Sequence, residues 1–285
     1  MSVVAEKTGK ETSRELPWAL RQLPSFPAVA TKLLQLLAKE DVPIRRIVEL
    51  IRTDPAFSSG ILRVANSALF GFASKVETVK HAVVVVGLDR VMTLTLTVAM
   101  GSYLKAALRI AVLRGCWRHS LACALLSEEL ATSCSVHLDR AYTAGLLHDI
   151  GRLGLLVAYP AEYGKLLTVA EQNAGDVLEM ERKLFDMDHC QAGRWLMKEW
   201  KFPEEFHEIA ARHHSEPTTG EFNPLALARL ACRLADTLGF QAVKPARLWT
   251  FQEIQAALPE PFQQRFNPDP DSLRARVATI IDSLD

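Results

Sequence analysis

No two cysteines in this chain are separated by two residues. The five that occur, Cys116, Cys123, Cys134, Cys190 and Cys232, are odd in number and irregular in spacing. This argues against a disulfide framework and against a thiolate zinc site, and it fits a reducing cytoplasm. Charge of one sign is also missing, since 33 Lys and Arg balance 33 Asp and Glu. A zero balance gives no general attraction to nucleic acid or to an anionic membrane, so neither is expected as a partner. The opening "MSVVAEKTGKETSRE" lacks the basic start and apolar core of a secretory signal. Residues 1–15 read as a polar, flexible N-terminus. Nor is there a long apolar run free of charge. The most hydrophobic stretch, His81 to Gly101, carries Asp89 and Arg90 at its centre, whereas a membrane-spanning helix needs roughly 20 residues without such charges. It reads as a buried core segment, although its valines and threonines also favour a strand.

Apolar residues make up 49% of the 285 positions. That supports one large domain or two modest ones, each with its own core. Helical spacing recurs along the chain. Val29, Leu33, Leu36 and Leu37 share a face in "AVATKLLQLLAKE", and Ile44, Ile47, Val48 and Ile51 do so in "IRRIVELI". Asp54-Pro55 and Asn223-Pro224 read as N-caps followed by proline at the first helical position. A long helix is expected from about 113 to 132. Others follow at about 140–158, 176–200, 204–214 and 224–238, and two short ones around "NPDPD" in the tail. No segment alternates cleanly, so the class is all-α. The expected division is an N-terminal helical subdomain over 16–105, packed on a helical bundle over 106–240, with C-terminal helices over 241–285.

Chemistry concentrates in the second half. "AGLLHDIGRL" sets His148 beside Asp149 within an apolar helical stretch, where either group is costly to bury without a partner. Seven of the eight histidines fall within 119–214. His119, His148, His189 and His213 each lie on the apolar side of their helix beside Ala, Gly or Cys, and Asp236 does the same further on. Several such groups in one domain point to a shared partner. Neutral imidazoles and carboxylates are ligands of divalent transition metals, and a cation relieves the cost of burying them. The grouped set is His119, His148, Asp149, His189, His213, His214 and Asp236. Seven ligands suit two ions, with Asp149 as the natural bridge, and two such ions can clamp a phosphate and activate water. The metals compatible with this mix are iron, manganese, nickel and zinc. Taken singly, each histidine has a plainer reading as a core imidazole bonded to a carbonyl. His81, His137 and His207 stand outside the set, and Trp195 and Trp200 read as core.

The strings "LPSFPAVATKLLQLL", "IRTDPAFSSGILRVANSALFG" and "VKHAVVVVGLDRVMTLTL" closely resemble the N-terminal half of HDOD domains, signalling relatives of the HD superfamily of metal-dependent phosphohydrolases. The resemblance runs from about Leu16 to Gly239. It implies an all-helical fold with an N-terminal subdomain packed on an HD-like bundle, and a regulatory role in which metal ligands are commonly lost. This chain departs from that pattern by keeping the fuller ligand order of the HD-GYP phosphodiesterases, which act on cyclic di-GMP. "RHS" at 118–120, "LLHDIGR", His189, "RHHSEP" and "LADTL" match their motifs in turn. Three positions differ. Gly115 replaces an acidic residue, Arg152 replaces a lysine, and "HHSEPTTGEFN" stands where the GYP segment would be. By analogy His119, His148, Asp149 and Asp236 hold one ion, and His189, His213 and His214 hold a second across Asp149.

Three readings follow. The favoured one is a stand-alone signalling module with a retained dinuclear HD-type site, a separate protein as partner, room for a nucleotide ligand, and little or no turnover. The alternative is a phosphohydrolase or phosphodiesterase in which Asp149 and Arg152 are catalytic. The third leaves the histidines vestigial, paired with carbonyls and water.

Overall fold

The protein is described by a computed structural model covering residues 17–284 apart from 24, 38–41, 135, 174, 216–221 and 246. The expectation for residues 1–15, and most of the loop standing in for a GYP segment, lie outside the described residues. Among them the secondary structure is helical throughout, with no strand. The α-helices are α1 (Ala28–Leu37), α2 (Ile44–Arg52), α3 (Pro55–Ala65), α4 (Val79–Val86), α5 (Leu88–Leu104), α6 (Ala111–Ser133), α7 (Leu138–Leu147) and α8 (Ile150–Ala158). They continue as α9 (Pro160–Asn173), α10 (Val177–Phe185), α11 (His189–Glu199), α12 (Glu204–Arg212), α13 (Pro224–Thr237), α14 (Phe251–Ala256), α15 (Glu260–Gln263) and α16 (Pro270–Leu284).

The caps read from the sequence are formed. Asp54 accepts from the Phe57 N–H and Asn223 from the Ala226 N–H, each followed by proline in the first turn. The valine-rich stretch is two helices, not a strand. Thr78 caps α4, and Gly87 at φ 81° separates α4 from α5. Burial on packed helices overrides the strand propensity there, and Thr93, Thr95 and Thr97 are all buried. The signature asparagine has a structural task. Asn66 stops α3, and its side-chain amide donates to the carbonyls of Leu62 (2.7 Å) and Val76 (2.8 Å) while accepting from the Val76 N–H (2.8 Å). The loop after α3 is thereby fastened to the helix end. Arg90 reaches Glu128 at 2.5 Å and Asp139 at 3.7 Å, tying α5 to α6 and α7.

Two sequence expectations are revised. The stretch expected as one helix over 176–200 is α10 and α11, interrupted by Asp186 in the left-handed region (φ 59°) and restarted by an Asp188–Gln191 capping box. In the tail α16 is 15 residues long and follows two short helices, because Leu273, Val277, Ile281 and Leu284 lie on one buried face. The buried residues form one contiguous core that runs from Ala19 to Leu284. Trp200 belongs to it, stacked on Phe26 with ring centroids 4.6 Å apart. At its centre α6, α7, α8, α11, α12 and α13 pack around a polar cavity.

Candidate metal centre

The sequence reads His148 and Asp149 as neighbours within one helix, but the helix breaks between them. His148 keeps helical angles as the C-terminal cap of α7, and Asp149 (φ −98°, ψ 19°) starts α8. On an unbroken helix, consecutive side chains diverge by about 100°. The break lets both groups face one cavity. Two glycines bring other helices to backbone contact with this pair. A Cβ on Gly145 would lie 2.3 Å from the Cys123 carbonyl oxygen on α6. On Gly151 it would lie 1.9 Å from the His189 carbonyl oxygen at the start of α11. No side chain other than hydrogen fits at either crossing, and donors on separate helices meet as a result.

Three expected ligands gather around Asp149. Its Oδ1 is 3.3 Å from His189 Nε2 and 3.2 Å from His213 Nε2, and His214 Nε2 is 3.1 Å from His189 Nε2. One ligand atom from each residue lies within 4.8 Å of the others. Asp149, His189 and His213 are buried, while His214, just past the end of α12, is exposed. Asp149 Oδ1 and His213 Nε2 are shut off from solvent without a hydrogen bond. Orphaned buried atoms of this kind are rare and call for an explanation.

Charged neighbours surround this group. Arg152 donates Nε–H to Asp149 Oδ2 at 2.7 Å, and its Nη2 lies 3.4 Å from His189 Nε2. Burial would raise the Asp149 carboxyl, but the Arg152 guanidinium and the imidazoles hold it well below the usual carboxylate range. Burial keeps His213 below the ordinary imidazole value, and so neutral. Glu181 lies fully inside. It accepts from the His189 backbone N–H (2.8 Å), pairs with His189 Nδ1 (2.7 Å), and takes the Tyr163 hydroxyl as well. Burial is the largest influence on His189 and opposes its charge, yet the Glu181 and Asp149 carboxylates and the Cys190 side chain together push the imidazole up to about 10.

His119 and His148 face a different set, formed with two cysteines. His119 Nε2 is 3.4 Å from Cys123 Sγ and 3.5 Å from Cys232 Sγ. One atom from each of His119, Cys123, His148 and Cys232 lies within 4.8 Å of the rest. Asp236 stands beside this set. Its Oδ1 is 3.8 Å from His119 Nδ1, the nitrogen that pairs with the Phe240 carbonyl at 2.8 Å. Burial and the nearby Cys232 raise the Asp236 carboxyl to about 7. Ring contacts of 5.4 Å (His119–His148), 5.1 Å (His148–His213) and 5.4 Å (His189–His213) link the two groups into one cavity. His81 and His137 take no part, and His207 pairs with the Phe202 carbonyl at 2.8 Å.

The structure adds Cys123, Cys232 and Glu181 to the neighbourhood that the sequence outlines. A signal for the cysteines existed: Cys123 lies one turn after His119, and Cys232 one turn before Asp236. They were read as small spacers because no short cysteine motif marks them. Glu181 has only its place on the inner face of α10.

The model of the HDOD domain family matches residues 23–216. Similar solved structures include an HDOD domain protein of Geobacter sulfurreducens, 20% identical with a TM-score of 0.71, covering 93% of this chain and 94% of that one. A candidate phosphohydrolase of Shewanella amazonensis is 23% identical with a TM-score of 0.69, covering 94% and 99%. A candidate signal transduction protein of Marinobacter aquaeolei is 23% identical with a TM-score of 0.70, covering 93% and 60%. At these identities the likeness is one of fold. A curated but uncharacterised protein of Treponema pallidum is 27% identical over 242 residues, which is 82% of this chain and 47% of the relative. The chain thus spans about half the length of that relative. With the family's model matched across most of its helices, this chain belongs to the HDOD family.

Proposed function

We propose that this chain is a regulatory HDOD module that holds a divalent transition metal ion at the Asp149 group and turns over little or no phosphoester. The observation that carries the reading is the convergence of Asp149 Oδ1 and His213 Nε2, both buried without a hydrogen bond, with His189 and His214 beside them. A cation offsets the desolvation cost of such unmatched acceptors. Glu181 orients His189 in the manner of carboxylates behind metal-bound imidazoles. These nitrogen and oxygen donors accept iron, manganese, nickel or zinc. Such an ion, when bound, supplies Lewis acidity toward a phosphate oxygen.

Arg152 favours signalling over hydrolysis. Its Nε–H holds Asp149 Oδ2, the oxygen that bridging to a second ion would need, and its side chain is buried instead of facing a phosphate. Asp149 therefore offers one free oxygen to a cation. The partner in this reading is a separate signalling protein acting on the helical face built by 16–105, and a nucleotide is the natural small ligand of an HD-like cavity. Five free cysteines fit a cytoplasmic setting. Among the described residues no helix is long and apolar enough to cross a membrane. The second reading, a metal-dependent phosphodiesterase using Asp149 and Arg152, is favoured by the retained ligands and by the names of the Shewanella relatives.

Elemental analysis of the purified protein, set beside a His213→Ala/Asp149→Asn double variant, separates these readings when paired with a bis(p-nitrophenyl) phosphate assay. The expected result is metal in the parent, less metal in the variant and no turnover. Turnover abolished by the double variant would establish the enzyme. Equal, negligible metal in both would leave the histidines vestigial.

A further inference from the structure

We propose that His119, Cys123, His148 and Cys232 form a separate site for a thiophilic cation, zinc by preference, closed by two thiolates and two imidazoles. The resemblance assigns His119 and His148 to the ion at Asp149, but their ligand atoms group with Cys123 and Cys232, so the proposal stands apart from the Asp149 reading.

The geometry fits such a cage. With zinc–sulfur bonds of about 2.3 Å and zinc–nitrogen bonds of about 2.0–2.1 Å at tetrahedral angles, neighbouring sulfur and nitrogen ligands lie roughly 3.6 Å apart. The two sulfur-to-His119 Nε2 separations are 3.4 and 3.5 Å. Both imidazoles are already turned for the task. His119 Nδ1 sits on the Phe240 carbonyl, and His148 Nδ1 on the Gly145 carbonyl at 2.7 Å. Donation to those carbonyls occupies each Nδ1 and leaves each Nε2 as the atom available to a cation. His148 Nε2 has no hydrogen-bond partner, and the residue is 1% exposed. Two sulfurs converge on His119 Nε2. A Cys232 thiolate beside a charged His119 pairs only part of this cluster and leaves His148 Nε2 without a partner, whereas one cation satisfies all four atoms together.

The donors come from three mutually packed elements. α6 supplies His119 and Cys123 one turn apart, the end of α7 supplies His148, and α13 supplies Cys232. Gly145 holds α7 against the Cys123 backbone, so the cage is pre-set by helix packing. Four protein donors leave no open position, which is the coordination of a structural ion. Soft thiolates select zinc over iron or manganese. The chain then carries two unlike sites in one cavity, one closed and structural, and one of nitrogen and oxygen donors that opens at His214.

The test is cobalt(II) titration of the full chain after chelation under reducing conditions. The expected result is sulfur-to-cobalt charge-transfer absorption in the near ultraviolet, with the intense visible bands of a tetrahedral ion, both displaced by zinc. Cys123→Ser and Cys232→Ser each weaken the charge-transfer band by about half or more and the double variant abolishes it, while Asp149→Asn keeps it and loses only the other ion. Cobalt bound without charge transfer overturns the proposal, as does a band of full strength in either single variant or any band in the double variant. So does finding Cys123 and Cys232 joined as a disulfide in the purified protein. Should the serine variants fail to fold by circular dichroism, peptide-mapped alkylation of the parent in mild denaturant decides. Zinc then slows labelling of Cys123 and Cys232 but not of Cys134, and equal rates overturn the site.

Discussion

Glu181 would touch no cation itself, yet it governs the imidazole that does. It holds both the backbone and the ring of His189, and Tyr163 holds it in turn. Carboxylates in this position typically contribute 10- to 100-fold to metal affinity. Glu181→Gln is therefore expected to weaken binding at the Asp149 group by about that factor while leaving cobalt charge transfer at the cysteine set intact, as read by competition with a metal indicator. An equal loss at both sites would mean general unfolding instead. Glu181 also marks the limit of sequence reading at this scale. His148, Asp149, His189, His213 and His214 were legible because a polar group on an apolar helical face is costly and therefore conspicuous. Glu181 sits among exposed acidic and basic residues on α10, and only the turn at Asp186 brings that helix back over His189. Cys123 and Cys232 were visible only as small residues beside the histidines. A thiolate site assembled across helices 109 residues apart leaves no short motif, and their proximity comes from α6 packing on α13.

Helices were legible as elements wherever a cap or a periodic face announced them. Asp54, Asn223 and the buried stripe of α6 are examples. The break between α7 and α8 was not legible, because a helix that ends inside the core needs no polar punctuation. The α7–α8 break at Asp149 rests on contacts that no local pattern records. The glycines at these crossings are the testable part. Gly151→Ala would set a methyl group against the His189 carbonyl and the Gly193 N–H at 2.3 Å, and helix backbones cannot yield as a flexible side chain can. The expected cost is about 3 kcal/mol, the upper end for overpacking, with weakened metal binding because α11 carries His189. Gly164→Ala in α9 is the counterpart, since its Cβ would meet only Val112 at an ordinary 3.6 Å. That change is expected to stabilise by about 0.5–1 kcal/mol. Thermal melts of both variants check the pair, and a similar response from the two would refute the close-approach argument. Asn66→Ala belongs here too. It removes three hydrogen bonds and strands the Val76 N–H, at an expected cost of about 1–2 kcal/mol in urea unfolding.

Across the whole molecule, the cavity holds protons where a cation would otherwise sit, and stability should report the exchange. In the metal-free protein His189 keeps its proton up to about 10, because Glu181, helped by Asp149 and Cys190, offsets the burial that opposes the charge. The groups facing it are Asp149, Arg152, His213 and His214. The unfolded chain releases the same proton near pH 6.5. Between about 6.5 and about 10 the folded state therefore binds one proton more than the unfolded state, and the sign follows from linkage. This contribution is fully present below about pH 6.5 and is lost as pH rises through the folded value. A bound ion takes the Nε2 lone pair and leaves no proton there to release. Chelated protein should thus lose stability steadily from about pH 7 to about pH 9 in urea unfolding, while metal-loaded protein is less affected. In the chelated state Glu181→Gln should flatten the profile, because it removes the carboxylate that retains the proton. Parallel profiles for chelated and loaded parent protein would mean that cation and proton do not compete for His189, and the Asp149 group would then lose its standing as a metal site.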